Sequence, residues 1–285
     1  MTEISEFVSV YGHTGFIGSR FCEMFPLSIK MDREAREPAT NNILNFISTT
    51  NNYAFEKDIT VDVEANITVM LEILDAAKKK FGNDFSFNQV STWSVYGEVS
   101  LPANERDWCN PTGFYSITKR TAEQLLETFS TIYSSRYRIF RLCNIIGETA
   151  KTISKQKNAF QYLIKELQAD KNIVLYNGGD FIREFMYVDD ACEAIMFLMK
   201  FSMYGDIYNV GTGIPHNYGE LIEYCKKIIG SKSRIDRVVN PFPHGSVQAK
   251  DMYLDVTKLK DLGFYPQYTV YDAIDKIIGI KNDNI

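Results

Sequence analysis

Apolar and polar positions alternate between two periods along the first half of the chain. Short apolar runs at residues 6–11, 27–32, 42–48, 85–92 and 137–146 predict buried strands. Helical spacing predicts helices between them, above all at about 62–80 and 115–133. The later pattern is mixed, with helices near 158–168 and 188–200, strands at 172–176 and 206–211, and two closing helices. Strands that alternate with helices predict an α/β fold with a doubly wound parallel sheet.

Composition narrows the class of protein. The chain has 285 residues, 45% of them hydrophobic, which is enough for a sizeable core. A net charge of −5 without basic clusters argues against nucleic acid as a partner. No apolar run has the roughly 18 residues of a membrane span, and the N-terminal residues do not resemble a signal peptide. Five scattered cysteines indicate reduced thiols and a cytoplasmic location, and three histidines without metal-ligand spacing predict no metal site.

Three glycines separate the first predicted strand from the first helix. Gly12 allows a tight turn, Gly15 lets backbone approach a pyrophosphate, and Gly18 lets the helix pack on the strand. The helix N-terminus offers N–H groups to the phosphates. Asp32 ends the second strand, where a carboxylate can bind ribose hydroxyls. The predicted cofactor contacts here are Gly12, Gly15, Phe16, Ile17, Gly18, Asp32 and Arg33.

Several further motifs follow in order along the chain. They are STWSVYGE (91–98), YSITK (115–119), RLCNIIG (141–147), REFMYVDDACEAI (183–195) and YNVGTG (208–213). With the GxxGxxG turn they resemble the extended short-chain dehydrogenase/reductase superfamily, in particular its NAD-dependent nucleotide-sugar epimerases and dehydratases. The resemblance covers nearly the whole chain. It implies a Rossmann-type sheet with a smaller, interleaved C-terminal substrate domain.

The resemblance also implies domain limits and a cofactor. Residues 1–146, together with about 187–211, would form the NAD(P)-binding Rossmann domain. Residues 147–186 and 212–285 would form the substrate-binding domain. NAD is the expected cofactor, and NADP is the alternative because Arg33 can accept a 2′-phosphate. The connection after Asp32 reaches the next strand in about ten residues, whereas the family normally inserts a further strand and helices there.

The YSITK motif predicts the catalytic pair Tyr115 and Lys119. Residues at i and i+4 share one helix face. Because a free tyrosine has a pKa of about 10, we expect the Lys119 cation to lower the pKa of Tyr115. In the family the lysine also holds the nicotinamide ribose, and Thr92 occupies the position of the hydroxyl that steadies the sugar oxygen. Tyr115 would then take the proton of a sugar hydroxyl while hydride leaves the same carbon for the nicotinamide.

Two later residues are candidates for substrate binding. Asn144 would bind the phosphate or glycosyl group of a nucleotide sugar, or else cap the next turn. Arg183 would clamp the diphosphate, or else form an ion pair with Glu184. We interpret Asp189 and Asp190 as the N-cap region of a helix.

Segment 241–248 lacks the arginine that many relatives place on the nucleotide phosphates. His244 or Lys250 would have to substitute for it.

The residues after Thr92 select among reactions. Dehydratases of this superfamily carry an Asp–Glu pair where this chain has Trp93 and Ser94, which disfavours water loss. We therefore predict an NAD-dependent epimerase that acts on a nucleoside-diphosphate sugar through a transient keto sugar. The alternatives are an NADPH-dependent 4-ketosugar-nucleotide reductase and a catalytically silent dinucleotide-binding module.

The two long helices suggest a homodimer. Apolar residues recur on them at helical spacing and would build a four-helix interface. The alternative is that these residues only cover the sheet. They are Ile67, Met70, Leu71, Leu74, Leu125, Leu126 and Phe129.

Overall fold

A computed structural model describes residues 7–49, 58–148, 158–239 and 250–280. The strands are β1 Ser9–Tyr11, β2 Ile29–Met31, β3 Asn42–Asn45, β4 Ser86–Thr92, β5 Arg136–Leu142, β6 Asn144–Ile146, β7 Ile173–Tyr176, β8 Ile182–Arg183, β9 Phe185–Tyr187, β10 Asp206–Val210, β11 His216–Asn217 and β12 Ile235–Val238. The helices are α1 Phe16–Met24, α2 Val61–Val63, α3 Val69–Phe81, α4 Phe114–Tyr133, α5 Ala159–Gln168, α6 Val188–Phe201, α7 Tyr218–Ile229, α8 Thr257–Asp261 and α9 Val270–Ile278.

Parallel strands form the central sheet in the order β10–β5–β4–β3–β1–β2. Neighbouring residues on one strand point to opposite faces, so Val10 joins the core beneath α1 and α6, while Tyr11 joins the core beneath α3 and α4. Helices thus cover both faces. The predicted α/β fold with a doubly wound parallel sheet is confirmed.

The structure departs from the predicted elements in several places. The run 137–146 is two strands, because β5 ends at Leu142 and β6 pairs with β9 outside the central sheet. An apolar run does not reveal where a strand changes its partner. The predicted helix 62–80 contains a π-helical turn at Glu64–Thr68, which continues into α3. The short helix α8 adds a third helix after β10.

The apolar residues assigned to a dimer interface differ in burial, and Ile67, Leu125 and Phe129 are partly buried against the core beneath α3 and α4. Met70, Leu74 and Leu126 are fully buried in the core beneath α3 and α4, so for them the alternative interpretation is correct. Leu71 is 36% exposed and lies on the outer side of α3.

Strand register brings distant residues to one edge of the sheet. Tyr11 lies opposite both Met31 and Asn45, so the residues after them, Gly12 and Asp32 among them, share the carboxyl edge. Thr92 lies opposite Leu142 at the same edge. β10 returns to the central sheet beside β5 after the chain has built β6 to β9 and α6. The exact domain limits remain a prediction.

Candidate active site

The glycine turn leaves no room for side chains at two of its three positions. Gly12 has a φ of +80°, and a Cβ there would lie 2.9 Å from the amide nitrogen of Ile47. A Cβ on Gly18 would overlap the carbonyl oxygen of Gly12. Gly15 is the N-cap of α1, and a Cβ there would meet only the Gly12 oxygen, at 3.3 Å. The turn therefore packs α1 tightly on β1 and leaves open backbone at Gly15.

The helix end beyond this turn is suited to an anion. The amides of Phe16, Ile17 and Gly18 lie in the first turn of α1, where helical geometry supplies no carbonyl acceptors. Asp32 and Arg33 are exposed directly after β2, and β2 neighbours the strand that leads into Gly12. The structure thus brings the predicted cofactor residues of this region together.

Tyr115 lies in the first turn of α4, with its phenol group beside the hydroxyl groups of Ser48 and Thr92. Burial raises the pKa of Tyr115, the two hydroxyl groups act in the opposite direction, and the nearby Asp62 carboxylate adds to the increase. Our expectation of a lowered pKa is therefore wrong for this structure. Loss of hydration outweighs the polar contacts of the phenol.

Lys119 is not among the groups that act on the Tyr115 phenol. Its ammonium group is buried and donates a 2.6 Å hydrogen bond to the carbonyl of Val90 in β4. Burial lowers the pKa of Lys119 to about 8, and the Glu123 carboxylate opposes that shift. Lys119 thus fastens α4 to β4 one turn beyond Tyr115.

A buried ion pair below Lys119 is absent from the sequence-based prediction. The fully buried Glu123 accepts two hydrogen bonds from the Arg141 guanidinium, at 3.1 and 2.7 Å. It also accepts from the Ser91 hydroxyl at 2.5 Å and from Arg120 at 2.9 Å. The network holds α4 against β4 and β5. Its signal in the sequence is the spacing of Glu123, four residues after Lys119.

Trp93 connects the predicted substrate residues. Its indole N–H donates to the Asn144 side-chain oxygen at 3.3 Å, and the Asn144 amide donates to the carbonyl of Glu184 at 2.9 Å. The Arg183 guanidinium carbon lies 5.3 Å from the centre of the Trp93 ring. Thr92, directly before Trp93, accepts from the backbone N–H of Ser94 at 3.2 Å. Thr92, Asn144 and Arg183 are therefore brought together.

Arg183 does not form the ion pair with Glu184 that we considered. Its Nη1 donates to the carbonyl of Ile182 at 2.8 Å and to that of Lys250 at 2.5 Å. Burial lowers the pKa of Arg183 to about 10. The guanidinium is thus held by backbone carbonyls beside Trp93.

The Glu184 carboxylate binds backbone amides of later segments of the chain and not the Arg183 guanidinium. Its carboxylate accepts from the backbone N–H groups of Thr212 at 2.5 Å, Gly213 at 2.8 Å and Leu254 at 2.7 Å. Burial raises the pKa of Glu184 to about 6, although these amides act in the opposite direction. The residue joins β9 to the segments that follow β10 and precede α8.

Asp189 and Asp190 are structural, but neither is the N-cap. Both lie in the first turn of α6. Asp190 accepts from the backbone N–H groups of Gln267 and Tyr268, each at 2.9 Å. Asp189 pairs with Arg20 of α1 at 2.6 Å. They fasten α6 to its neighbours.

His244 and segment 241–248 lie outside the described residues. In the described ranges, no group of three or more His, Cys, Asp or Glu side chains could hold a metal ion. No helix of those ranges is both long and apolar enough to cross a membrane.

Comparisons with known proteins place these observations in a family. The model of the NAD dependent epimerase/dehydratase family matches residues 31–211. The chain belongs to this family.

Relatives and a solved structure agree with this membership. The putative UDP-glucose 4-epimerase of Methanocaldococcus jannaschii is 26% identical over 85% of this chain and 75% of its own length. The UDP-glucuronate 4-epimerase of Thermodesulfobacterium geofontis is 27% identical over 79% of this chain and 67% of its own length. The crystal structure of UDP-glucose 4-epimerase from Thermotoga maritima with UDP-glucose has a TM-score of 0.85 and 21% identity, and covers 96% of this chain and 97% of that one. This last similarity shows the shared fold.

Proposed function

We propose that this chain is an NAD-dependent epimerase that acts on a nucleoside-diphosphate sugar through a transient keto sugar. The observation that carries the proposal is the placement of the Tyr115 phenol beside the Thr92 hydroxyl, with Lys119 one turn further along α4. The names of the two relatives favour a UDP-hexose as the substrate class.

The glycine turn fits NAD. A Cβ on Gly12 or Gly18 would strike backbone, so the turn brings α1 close to the sheet edge, and its first amides would hold the pyrophosphate. Asp32 would bind the ribose hydroxyls, and Arg33 beside it keeps NADP as the alternative. NAD, when bound, supplies the acceptor and donor of hydride.

Proton transfer falls to Tyr115. The phenol would take the proton of the sugar hydroxyl and later return it, while the Thr92 hydroxyl orients the sugar oxygen. Lys119 keeps its charge up to about pH 8 and would bind the nicotinamide ribose. The high pKa of Tyr115 makes its phenolate a strong base but a rare one.

Asn144 and Arg183, the residues that contact Trp93, would recognise the substrate. Arg183 would bind the diphosphate, because a planar guanidinium pairs well with phosphate oxygens. Asn144 would contact the glycosyl side and also hold Trp93 in place. Trp93 is 6% exposed, and neither it nor Ser94 exchanges protons at neutral pH, which argues against dehydration.

We also propose a cytoplasmic homodimer. All five cysteines are unpaired, as in a reducing compartment. Apolar side chains are exposed along α2 and α4, where a second copy would bury them; Val63 is 43%, Phe114 46%, Ile117 46% and Ile132 65% exposed. Sedimentation at micromolar concentration tests this assembly, and a mass equal to one chain refutes it.

A panel of nucleoside-diphosphate hexoses tests the reaction. Interconversion of stereoisomers without net change in NADH absorbance supports the epimerase. Tyr115→Phe should lower kcat by about 100-fold or more, the scale of a lost general base, and should leave NAD binding intact. Tyr133→Phe, at the other end of α4, is the matched control.

Two results contradict the proposal. Stoichiometric NADPH consumption on a 4-keto sugar identifies a reductase. Absence of turnover of every sugar nucleotide, with Tyr115→Phe indistinguishable from the wild type, favours a silent dinucleotide-binding module.

A further inference from the structure

Asp62 is a buried carboxylate, and one of its oxygens lacks a hydrogen-bond partner among the described residues. The residue is 1% exposed, and its Oδ1 accepts from the Thr49 hydroxyl. Its Oδ2 is the buried side-chain atom without a hydrogen-bond partner in the described ranges. An ionised carboxylate with so few partners is costly to bury. Burial accordingly raises the pKa of Asp62, although the Thr49 contact opposes the shift.

Other buried carboxylates of this chain are far better satisfied. Glu123 accepts from Arg141, Arg120 and Ser91, and Glu184 accepts from backbone amides. Those arrangements explain both carboxylates as fasteners of the fold. Within the described residues Asp62 has no comparable set of partners, and it lies near the phenol of Tyr115.

The backbone next to Asp62 is also unusual. The π-helical turn Glu64–Thr68 begins two residues after Asp62. Such turns are rare in proteins, and those that occur are often found at functional sites. It directs Asn66 inward, where the side-chain amide donates to Thr118 at 3.0 Å and to Thr49 at 3.3 Å. The Thr49 hydroxyl therefore contacts both Asp62 and Asn66.

The same network reaches Tyr115 by two routes. The Ser48 hydroxyl donates to the Asn66 oxygen at 2.8 Å and lies beside the phenol of Tyr115. The Thr118 hydroxyl, which accepts from Asn66, donates to the backbone carbonyl of Tyr115 at 3.0 Å. Asp62 is thus linked by hydrogen bonds to the phenol and to the helix turn that carries it.

We propose that Asp62 is a positioning residue of this site, which acts through Thr49, Asn66 and Ser48 on Tyr115 and determines the pH at which Tyr115 releases its proton. The inference rests on the proposed role of Tyr115 as the proton-transfer group. Negative charge at Asp62 disfavours a second negative charge on the phenol.

The groups around the phenol come from four elements. Asp62 lies within α2, Ser48 lies beyond the end of β3, and Thr92 ends β4. Lys119, on α4 with Tyr115, is bonded to Val90 and influenced by Glu123. Of these groups, Asp62 is the charged residue that acts on the phenol.

Titration of Tyr115 itself tests the proposal without any need for turnover. The full chain is labelled with 3-fluorotyrosine, which lowers phenol pKa values into an accessible range. The fluorine resonance of Tyr115 is identified by its absence from Tyr115→Phe. In Asp62→Asn, which keeps the side-chain shape, the titration midpoint should fall by about one pH unit. Glu64→Gln removes an exposed charge two residues away and should leave the midpoint in place.

Two results overturn the proposal: an unchanged midpoint in folded Asp62→Asn, or an equal shift in Glu64→Gln. Thermal unfolding verifies that each variant is folded, and Asp62→Ser is the second variant if the asparagine is not tolerated. If the chain turns over a sugar nucleotide, the acidic limb of its kcat–pH profile should move by the same amount, and KM should stay unchanged. A midpoint shift in a protein that turns over no sugar nucleotide supports the role of Asp62 and refutes the epimerase proposal.

Discussion

The glycine turn and the Tyr115 end of α4 lie at the same edge of the sheet but are built in opposite ways. The turn works through backbone, and a Cβ at Gly12 or Gly18 would strike a neighbouring main chain. The Tyr115 end works through side chains, in which Ser48, Asp62 and Thr92 come from separate segments. The first region excludes side chains, and in the proposed function this lets the cofactor approach backbone. The second gathers them so that one proton can be controlled.

This difference implies different sensitivities to change. Added volume should damage the glycine turn whatever its chemistry, because the space itself is the functional feature. At Tyr115, changes of charge at constant volume should have the greater effect. The following predictions separate the two kinds of damage.

Gly15→Leu should have the largest effect on cofactor affinity. Among the described residues a Cβ there makes one tight contact, 3.3 Å from the Gly12 oxygen, and the rest of the new side chain would occupy the approach to the first turn of α1. We expect NAD affinity to fall by about 100-fold or more, or about 2.7 kcal/mol. The melting temperature should barely change. Calorimetric titration and thermal unfolding measure both quantities.

Gly18→Ala is the counterpart of that variant. Its Cβ overlaps the Gly12 carbonyl, so we expect both affinity and melting temperature to fall. Unchanged NAD and NADP binding in Gly15→Leu would remove the cofactor from this turn.

Lys119 should give an intermediate effect that depends on pH. Its pKa of about 8 means that the charged form dominates below pH 8 and is lost as the pH rises through that value. Between pH 7 and pH 9 the charged fraction falls roughly tenfold, and NAD affinity should weaken accordingly. Lys119→Met should bind weakly at both pH values. Two results would contradict this prediction. One is a similar pH dependence of NAD affinity in Lys119→Met, and the other is loss of the pH dependence in the exposed control Lys79→Met.

Asp32→Ala should have the smallest effect. The side chain is exposed, so the loss of the hydrogen bonds that we propose it makes to ribose should weaken NAD binding by about fivefold, or about 1 kcal/mol. NADP binding should change less, because Arg33 remains. A wild-type preference for NADP of tenfold or more would show that Asp32 has been misinterpreted.

The sequence predicts the framework of this molecule because local spacing encodes it. The positions of Gly12, Gly15 and Gly18 indicate the turn, and the YSITK motif indicates which helix carries the tyrosine. The family model matches residues 31–211, which begin after the three glycines. The glycine turn and the later motifs are therefore independent indications of the family. The π-helical turn at Glu64–Thr68 could not be predicted, because the spacing of apolar residues there is the same as in an ordinary α-helix.

The electrostatics of the site could not be predicted from the sequence, because they depend on contacts that the fold creates. The expected effect of Lys119 on Tyr115 relied on helical spacing, but that spacing does not show that Val90 takes the ammonium group. Glu184 follows Arg183 directly, yet successive residues of an extended segment point to opposite sides, so the two side chains do not meet. The sequence does not single out Asp62, because the burial of its carboxylate depends on the fold around it.

The late return of β10 to the sheet bears on how the chain folds during synthesis. β5 ends at Leu142, and its outer edge is covered only when Asp206–Val210 has left the ribosome. Until then β5 presents an open row of backbone donors and acceptors, which invites pairing with another nascent chain. Translation that pauses between these strands should therefore increase aggregation, and the chain depends on prompt completion of its own sheet.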